Sequence, residues 1–331
     1  MSQKTCGSLR RCCQLAIKRI LILEPTVHTD AVCAVLGADL CITRGPLTPA
    51  ELLDVVGHQD AIFARLGHWL NADLFLHAQS LRVIATPTTG LTHIDVAAAT
   101  SAGIDILSLR GEREFLEDLS ATAELTWSLL LAVTRRLTYA SRHTSAGGWN
   151  RDLFWGTELA GKTLGIIGLG RLGKMVARFA IAFGMNVIAF DKAKPDAEPP
   201  QVKLVDKPSL LTASDVITIH AHFNQGEPPL LDAADFEAIK PGCILINTSR
   251  GELLDEAAFM RAIRSGQLSG AGLDVLVSEP HVNRELLSLQ EAFNVVITPH
   301  IGGATIESIM KTELFMAHKL CKYIERARDD S

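Results

Sequence analysis

Three side chains far apart in the chain have the types that a single reaction would need together. Arg250 follows the apolar run CILINT (243–248), Glu279 follows GAGLDV (270–275), and His300 follows NVVIT (294–298). An arginine fork stays charged and can grip a carboxylate or a keto oxygen. A histidine exchanges a proton near neutral pH, and a carboxylate beside it orients the ring and favours its protonated form. A carboxylate clamp, a polarised oxygen and a proton shuttle are what a protein must contribute when hydride passes to or from carbon 2 of a small 2-hydroxy or 2-oxo acid. Each residue alone also fits a bland role: Arg250 in a surface ion pair, Glu279 as a solvated loop acid, His300 as a hydrogen-bonded turn residue. What favours the set is position, because all three fall just past the carboxyl end of a β run, where open α/β sheets bind their ligands. His220, ending DVITIH (215–220), and Asp274, inside GAGLDV, share that rim.

Two series of β runs must position these residues. The first holds KRILILEP (18–25), 60–64, LRVIAT (81–86) and GIDILSL (103–109); the second holds TLGIIG (163–168), NVIAF (186–190), DVITIH, CILINT, GAGLDV and NVVIT. Segments of helical apolar spacing separate the runs, and that alternation predicts parallel sheets. Pro299 removes a ladder donor, so the last run must stop there and His300 leaves a strand end. Residues 114–137 read as one long, mostly buried helix passing from the first domain to the second. Residues 304–328 read as a final helix that packs back on the first domain. The expected organisation is α/β with residues 1–110 and 299–331 in one discontinuous domain and 111–298 in the other. The segment Lys194 to Pro208, with four prolines, reads as a surface connection.

The strongest local signal is Gly168-x-Gly170-x-x-Gly173, which lies between a strand and a helical pattern and is followed 18 residues later by Asp191 at the end of the next strand. The first glycine permits a tight turn, the second lets the backbone approach a pyrophosphate, and the third lets helix and strand pack closely, with the helix N-terminus facing the anion. Asp191 can accept hydrogen bonds from an adenosine ribose and would repel a 2′-phosphate, which favours NAD over NADP. Lys192 and Lys194 could partly neutralise that repulsion.

Bulk properties bound the rest. A chain of 331 residues is comfortable for two domains, and a formal charge of -5 with pI near 6.1 gives no basic footprint for nucleic acid. The longest apolar runs, such as Leu129 to Val133, are far short of a membrane span. Seven cysteines, with Cys12 and Cys13 adjacent and the others scattered, form neither a disulfide framework nor a CxxC metal site, so reduced thiols in the cytoplasm and no metal are expected. Lys4, Arg10, Arg11, Lys18 and Arg19, with no acid before Glu24, faintly resemble a transit peptide; they run into the first strand without a signal-peptide apolar region.

Four motifs carry a resemblance to the D-isomer-specific 2-hydroxyacid dehydrogenases that covers nearly the whole chain from about residue 18: TPTTGLTHID (86–95), GIIGLGRLG (165–173), KPGCILINTSRGELLD (240–255), and GLDVLVSEP (272–280) with TPHIGGAT (298–305). The resemblance implies flavodoxin-like and Rossmann-like domains with a cleft between them, and a homodimer formed through the cofactor domain. It implies that Arg250, Glu279 and His300 are catalytic and that NAD contacts fall on Thr89, Arg171, Leu172, Asp191, His220, Ala221, Thr248 and Asp274 besides Gly168, Gly170 and Gly173. It also implies that the substrate meets Arg250, His300 and two loops, Arg65-Leu66-Gly67 and Thr88-Thr89-Gly90, each a turn after a β run as an anion nest requires.

The chain departs from the common pattern at Leu91-Thr92-His93 and at His222-Phe223, which leaves the substrate and the cofactor loop less defined than the chemistry. The substrates that fit include D-3-phosphoglycerate, hydroxypyruvate and glyoxylate. Arg65, His68 and Trp69 are candidates to line the side-chain pocket, and Arg65 with Arg110 could suit a second anion. Formate dehydrogenases of similar sequence carry glutamine where Glu279 stands. A corepressor-like, NADH-sensing interaction module of the same fold remains the alternative, since such proteins keep the triad.

Overall fold

The structure, a computed structural model, describes residues 17–45, 47–193, 198–224, 226–277, 279 and 282–329. Lys194, the cysteines at 6, 12 and 13, and the basic residues before position 17 lie outside the described residues. The chain forms two units, 1–118 with 306–331, and 119–305.

The first unit contains β1 (Ile20–Ile22), β2 (Cys41–Thr43), β3 (Ala61–Phe63), β4 (Val83–Ala85) and β5 (Asp105–Leu107), all parallel, in the order β2-β1-β3-β4-β5. That is the flavodoxin-like order, whose switch point lies between β1 and β3. Side chains alternate across the strands. Leu21, Ile62 and Ile84 face one layer of helices, while Ile20, Phe63 and Val83 face another that includes Met316, Ala317, Leu320 and Ile324 of the terminal helix Ile306–Asp329. Both faces being covered is why these strands read as unbroken apolar runs. β2 was not expected from the sequence: it is a three-residue edge strand, half-buried at Cys41 and Ile42 and exposed at Thr43, without the apolar run that marks a covered strand.

The second unit contains β6 (Thr163–Ile167), β7 (Asn186–Phe190), β8 (Lys203–Leu204), β9 (Val216–Ile219), β10 (Cys243–Asn247), β11 (Leu268–Leu273) and β12 (Val295–Ile297). The order β8-β7-β6-β9-β10-β11-β12, parallel throughout, is the Rossmann order with a seventh strand added at one edge. Ile167, Ile217, Ile219 and Leu245 face one helical layer; Leu164, Ile166, Val216, Ile244 and Ile246 face the other, packed with Leu129, Leu130 and Val133. β8 lies inside the proline-rich segment expected to be a plain connection; two residues pairing at the sheet edge are too short to leave a pattern.

The single helix expected over 114–137 is three: Arg113–Glu117, Ala121–Thr134 and Leu137–Ser145. The second break falls at Arg136, which takes a left-handed φ of 51°. The first helix is tied to the first unit by Phe115, stacked on Phe315 at 4.0 Å between ring centroids. The junctions between units therefore fall at 118/119 and 305/306 rather than at the expected 110/111 and 298/299. Residues 299–305 stay with the second unit, where Asp274 binds residues 300–302, as described next.

Candidate active site

The strand ends of the second unit bring Arg250, Glu279 and His300 into one electrostatic neighbourhood. β10 runs out through Asn247, whose side chain accepts the Ser249 N–H at 3.0 Å and donates to the Arg250 carbonyl at 2.8 Å. The Ser249 hydroxyl donates to the carbonyl of Ile219 at the end of β9 at 2.7 Å, which fixes the turn to its neighbour strand. Arg250 donates from Nη1 to the Ser249 carbonyl at 2.6 Å. Burial lowers its pKa against the charges of Glu252 and Glu279, which favour the cation. Gly251 has no room for a side chain: a Cβ there would sit 2.1 Å from the carbonyl carbon of Leu276. That close approach lets the segment bearing Glu279 pass beside the Arg250 turn.

Glu279 accepts the Leu276 N–H on Oε1 at 2.7 Å and faces His300 Nδ1 with Oε2 at 2.5 Å. Burial would raise its pKa, but the hydrogen bond and charge of His300, with the Leu276 amide and Arg250, hold it below the usual carboxylate value. A carboxylate can only accept, so Nδ1 carries a proton and Nε2 is the nitrogen left for chemistry.

Asp274 builds the turn that presents His300. It is buried, and its carboxylate accepts the Thr298 hydroxyl at 2.6 Å, the Ile301 N–H at 2.8 Å and the Gly302 N–H at 2.7 Å. Its main-chain carbonyl accepts the His300 N–H at 2.9 Å. Burial raises its pKa, and those hydrogen bonds oppose the rise. The resemblance makes Asp274 a cofactor contact; in the fold its carboxylate is committed to the 298–302 turn.

The glycine loop has the shape a dinucleotide requires. Gly168, at φ +95°, lies so close to the β9 end that a Cβ would sit 2.6 Å from the Ala221 nitrogen, and a Cβ at Gly173 would sit 2.2 Å from the Gly168 carbonyl oxygen. At Gly170 a Cβ would meet nothing within 4 Å, so that position faces open space at the start of the helix Arg171–Ala182. Asp191 follows β7 beside the loop, accepting the Leu169 N–H at 2.8 Å and the Ala193 N–H at 2.8 Å. Arg171 donates to the Leu119 carbonyl at 2.5 Å, and Thr248 pairs with the Thr126 hydroxyl at 2.7 Å. Both ring nitrogens of His220 are buried without a hydrogen-bond partner, and burial lowers its pKa to about 4. These residues fit NAD: the loop, the helix N-terminus and Asp191 would hold the pyrophosphate and ribose, and the switch point between β6 and β9 is where such a ligand binds.

In the first unit, the Thr88-Thr89-Gly90 loop is closed by Thr88, whose hydroxyl donates to the Gly90 carbonyl at 2.7 Å and pairs with Thr86 at 3.0 Å; Thr89 is exposed. The departures from the common pattern have internal roles. Leu91 packs on the apolar core, His93 Nε2 meets the Thr86 hydroxyl at 3.1 Å, and Phe223 packs on the core of the second unit. The loop Arg65-Leu66-Gly67 is held from behind by Glu24, which sequence reasoning passed over although it too follows a strand end. His68 is turned toward Glu24 and the Leu47 carbonyl, at 2.8 and 3.2 Å. Both ring nitrogens of His68, a residue expected to line the side-chain pocket, are engaged by these two contacts. Among the described residues no group of three or more acids, histidines or cysteines could hold a metal, and no helix is long and apolar enough to cross a membrane.

Residues 127–302 match the family described as D-isomer specific 2-hydroxyacid dehydrogenase, NAD binding domain. The chain is 36% identical over 287 residues to a hydroxypyruvate reductase of Thermotoga maritima, covering 86% of this chain and 91% of that protein. It is 38% identical to a glyoxylate reductase of Thermococcus litoralis, covering 80% and 81%. The crystal structure of the TT0316 protein from Thermus thermophilus superposes with a TM-score of 0.80 at 33% identity, covering 93% of this chain and 97% of that one. The sequence match, the two parallel sheets and the dinucleotide loop agree: the chain belongs to the D-isomer specific 2-hydroxyacid dehydrogenase family and is an NAD-dependent oxidoreductase.

Proposed function

We propose that the chain reduces a small 2-oxo acid to the D-2-hydroxy acid, and runs the reverse reaction, with Arg250, Glu279 and His300 as its catalytic residues. The observation that carries this reading is the 2.5 Å contact between His300 Nδ1 and Glu279 Oε2, with the Arg250 cation stabilised by the same carboxylate. NADH supplies the hydride when bound, and NAD accepts it in the reverse direction. His300 gives its Nε2 proton to the 2-oxygen as that oxygen gains charge, and recovers it in oxidation. Glu279 stabilises the protonated ring and fixes its orientation, while Arg250 grips the carboxylate or the 2-oxygen. The loops Arg65-Leu66-Gly67 and Thr88-Thr89-Gly90 are assigned to the substrate, and Thr89, Arg171, Leu172, Ala221 and Thr248 to NAD, on the resemblance of their motifs and their places after strands or at the glycine loop.

Two coarser features extend the reading. Trp149, Leu153 and Trp155 are 92%, 56% and 77% exposed within seven residues of one another, an apolar patch that supports a homodimer formed through the second unit. Free thiols at Cys33, Cys41, Cys243 and Cys321 support a reducing compartment, and we assign the protein to the cytoplasm.

The test is NADH oxidation with pyruvate, hydroxypyruvate, glyoxylate, 2-oxoglutarate and phosphohydroxypyruvate. Saturable turnover on at least one acid is expected. No turnover on any would overturn the catalytic reading in favour of an NADH-sensing interaction module.

A further inference from the structure

The first unit has a switch point between β1 and β3, the place where open α/β sheets bind ligands, and residues that follow these two strands meet there. The loop Arg65-Leu66-Gly67 follows β3, and on sequence alone its amides would form a nest for a substrate anion. That nest is already filled. Glu24, two residues beyond β1, accepts the Arg65 N–H on Oε2, and on Oε1 it accepts the Gly67 N–H at 2.8 Å and faces His68 Nδ1 at 2.8 Å.

The partners of His68 fix its charge. Nδ1 faces a carboxylate and Nε2 faces the Leu47 carbonyl at 3.2 Å, and both of those groups can only accept. The ring must therefore carry two protons, in keeping with a pKa raised by the hydrogen bond to Glu24. Glu24 and His68 form a compact ion pair, 18% and 10% exposed, that lies behind the loop. The glycine at position 67 belongs to the same arrangement. Its φ is not in the left-handed range, but a Cβ there would lie 2.8 Å from Glu24 Oε1. A side chain at position 67 and the Glu24 carboxylate in its present place exclude one another.

We infer that Glu24 is a positioning residue for substrate binding: by occupying the loop's amides it fixes the backbone from Arg65 to Gly67, so that the substrate is read by the side chains of Arg65 and Leu66. Those side chains are accessible, at 33% for Arg65 and 42% for the Leu66 residue. Among the described residues the ion-pair partner of Arg65 is Glu313, with Oε1 at 3.9 Å from Nε, a carboxylate that is itself buried and held by the Thr26 hydroxyl at 2.8 Å. The inference rests on the proposed 2-oxo acid reductase activity and deepens it.

The experiment is steady-state kinetics with the best acid of the panel on Glu24→Gln, Glu24→Asp, Gly67→Ala and the double variant Glu24→Gln/Gly67→Ala. Glutamine presents an amide N–H to donors that need an acceptor, and Gly67→Ala pushes the carboxylate off. Both single variants are expected to raise the KM for the acid about tenfold or more, with kcat within about threefold and NADH affinity by fluorescence titration unchanged. Glu24→Asp should recover part of the loss, and the double variant should be no worse than the worse single one, because both changes break the same contact. If Glu24→Gln does not fold, Gly67→Ala and Glu24→Asp carry the test, since both keep the carboxylate. An unchanged acid KM with only a lower melting temperature would overturn the inference, as would a parallel loss in kcat and NADH affinity. An active wild type with those results refutes this inference alone; an inactive wild type overturns the catalytic reading, and this one with it.

Discussion

His300 is tied to Asp274 through the backbone: its N–H donates to the Asp274 carbonyl at 2.9 Å, while the Asp274 carboxylate takes the next two amides, Ile301 and Gly302, at 2.8 and 2.7 Å. This grip holds His300 at φ +53°, in the left-handed region that few non-glycine residues occupy. Removing the imidazole and loosening its turn should therefore differ in degree. His300→Ala is expected to lower kcat by about 10² to 10⁴ with NADH affinity retained. Asp274→Asn, which turns an amide group toward N–H donors, should lower kcat by roughly tenfold. Stopped-flow reduction with matched NADH titrations measures both; full turnover in His300→Ala would remove it from the chemistry.

Glu279 remains ionised below the usual carboxylate range, so it is negative throughout the neutral region and its charge is lost only as the pH falls through that depressed value. Glu279→Gln withdraws the counter-charge of the protonated imidazole. The alkaline limb of the reduction profile should then move to lower pH, because a carboxylate beside a protonated ring favours that form. A pH–rate profile identical to wild type would exclude Glu279 from the proton transfer.

The glycines at 170 and 173 should separate binding from folding. Gly170→Ala adds a methyl to open space, so the melting temperature should hold while NADH affinity falls, because the methyl stands where the pyrophosphate would approach. Gly173→Ala drives a Cβ to 2.2 Å from the Gly168 carbonyl oxygen and should cost about 1 to 3 kcal/mol of stability. Calorimetry of the apo protein with fluorescence titration of NADH distinguishes them; equal effects of the two variants on stability would contradict the loop geometry.

His220 makes stability depend on pH. Its folded-state pKa, about 4, lies below the ordinary value of 6.5, so between those pH values the unfolded chain binds the extra proton. Stability from this group is complete above pH 6.5 and is lost as the pH falls toward 4. His220→Leu removes the dependence. The stability lost between pH 7.5 and 5 should be smaller in the variant by roughly 2 kcal/mol, read from urea unfolding at each pH. Parallel pH dependences in the two proteins would refute the assignment.

How much of this was legible in the sequence follows from which physical signals are local. Strands covered on both faces need unbroken apolar runs, so β6, β9, β10 and β12 announced themselves, and the residue after each run was a candidate for the rim. The glycine loop was legible because a tight turn, a bare backbone and a close helix contact each demand the same residue at fixed spacing. β2 and β8 were not, because edge strands of three and two residues need no apolar pattern. The break at Arg136 was hidden as well, since a left-handed arginine inside a run of helix formers carries no local mark.

The sequence by itself determined the chemistry on offer: an arginine, a glutamate and a histidine past successive strands, and a loop shaped for a dinucleotide. Only the tertiary structure decided which of those groups touch and which are already occupied. Asp274 turns to the 298–302 backbone, Gly251 clears the way for the Glu279 segment, and Glu24 fills the amides of the Arg65 loop. The reason is that residue type and spacing record what a backbone can do, while the commitment of a donor or acceptor depends on partners 24 to 43 residues away, brought within reach only by packing.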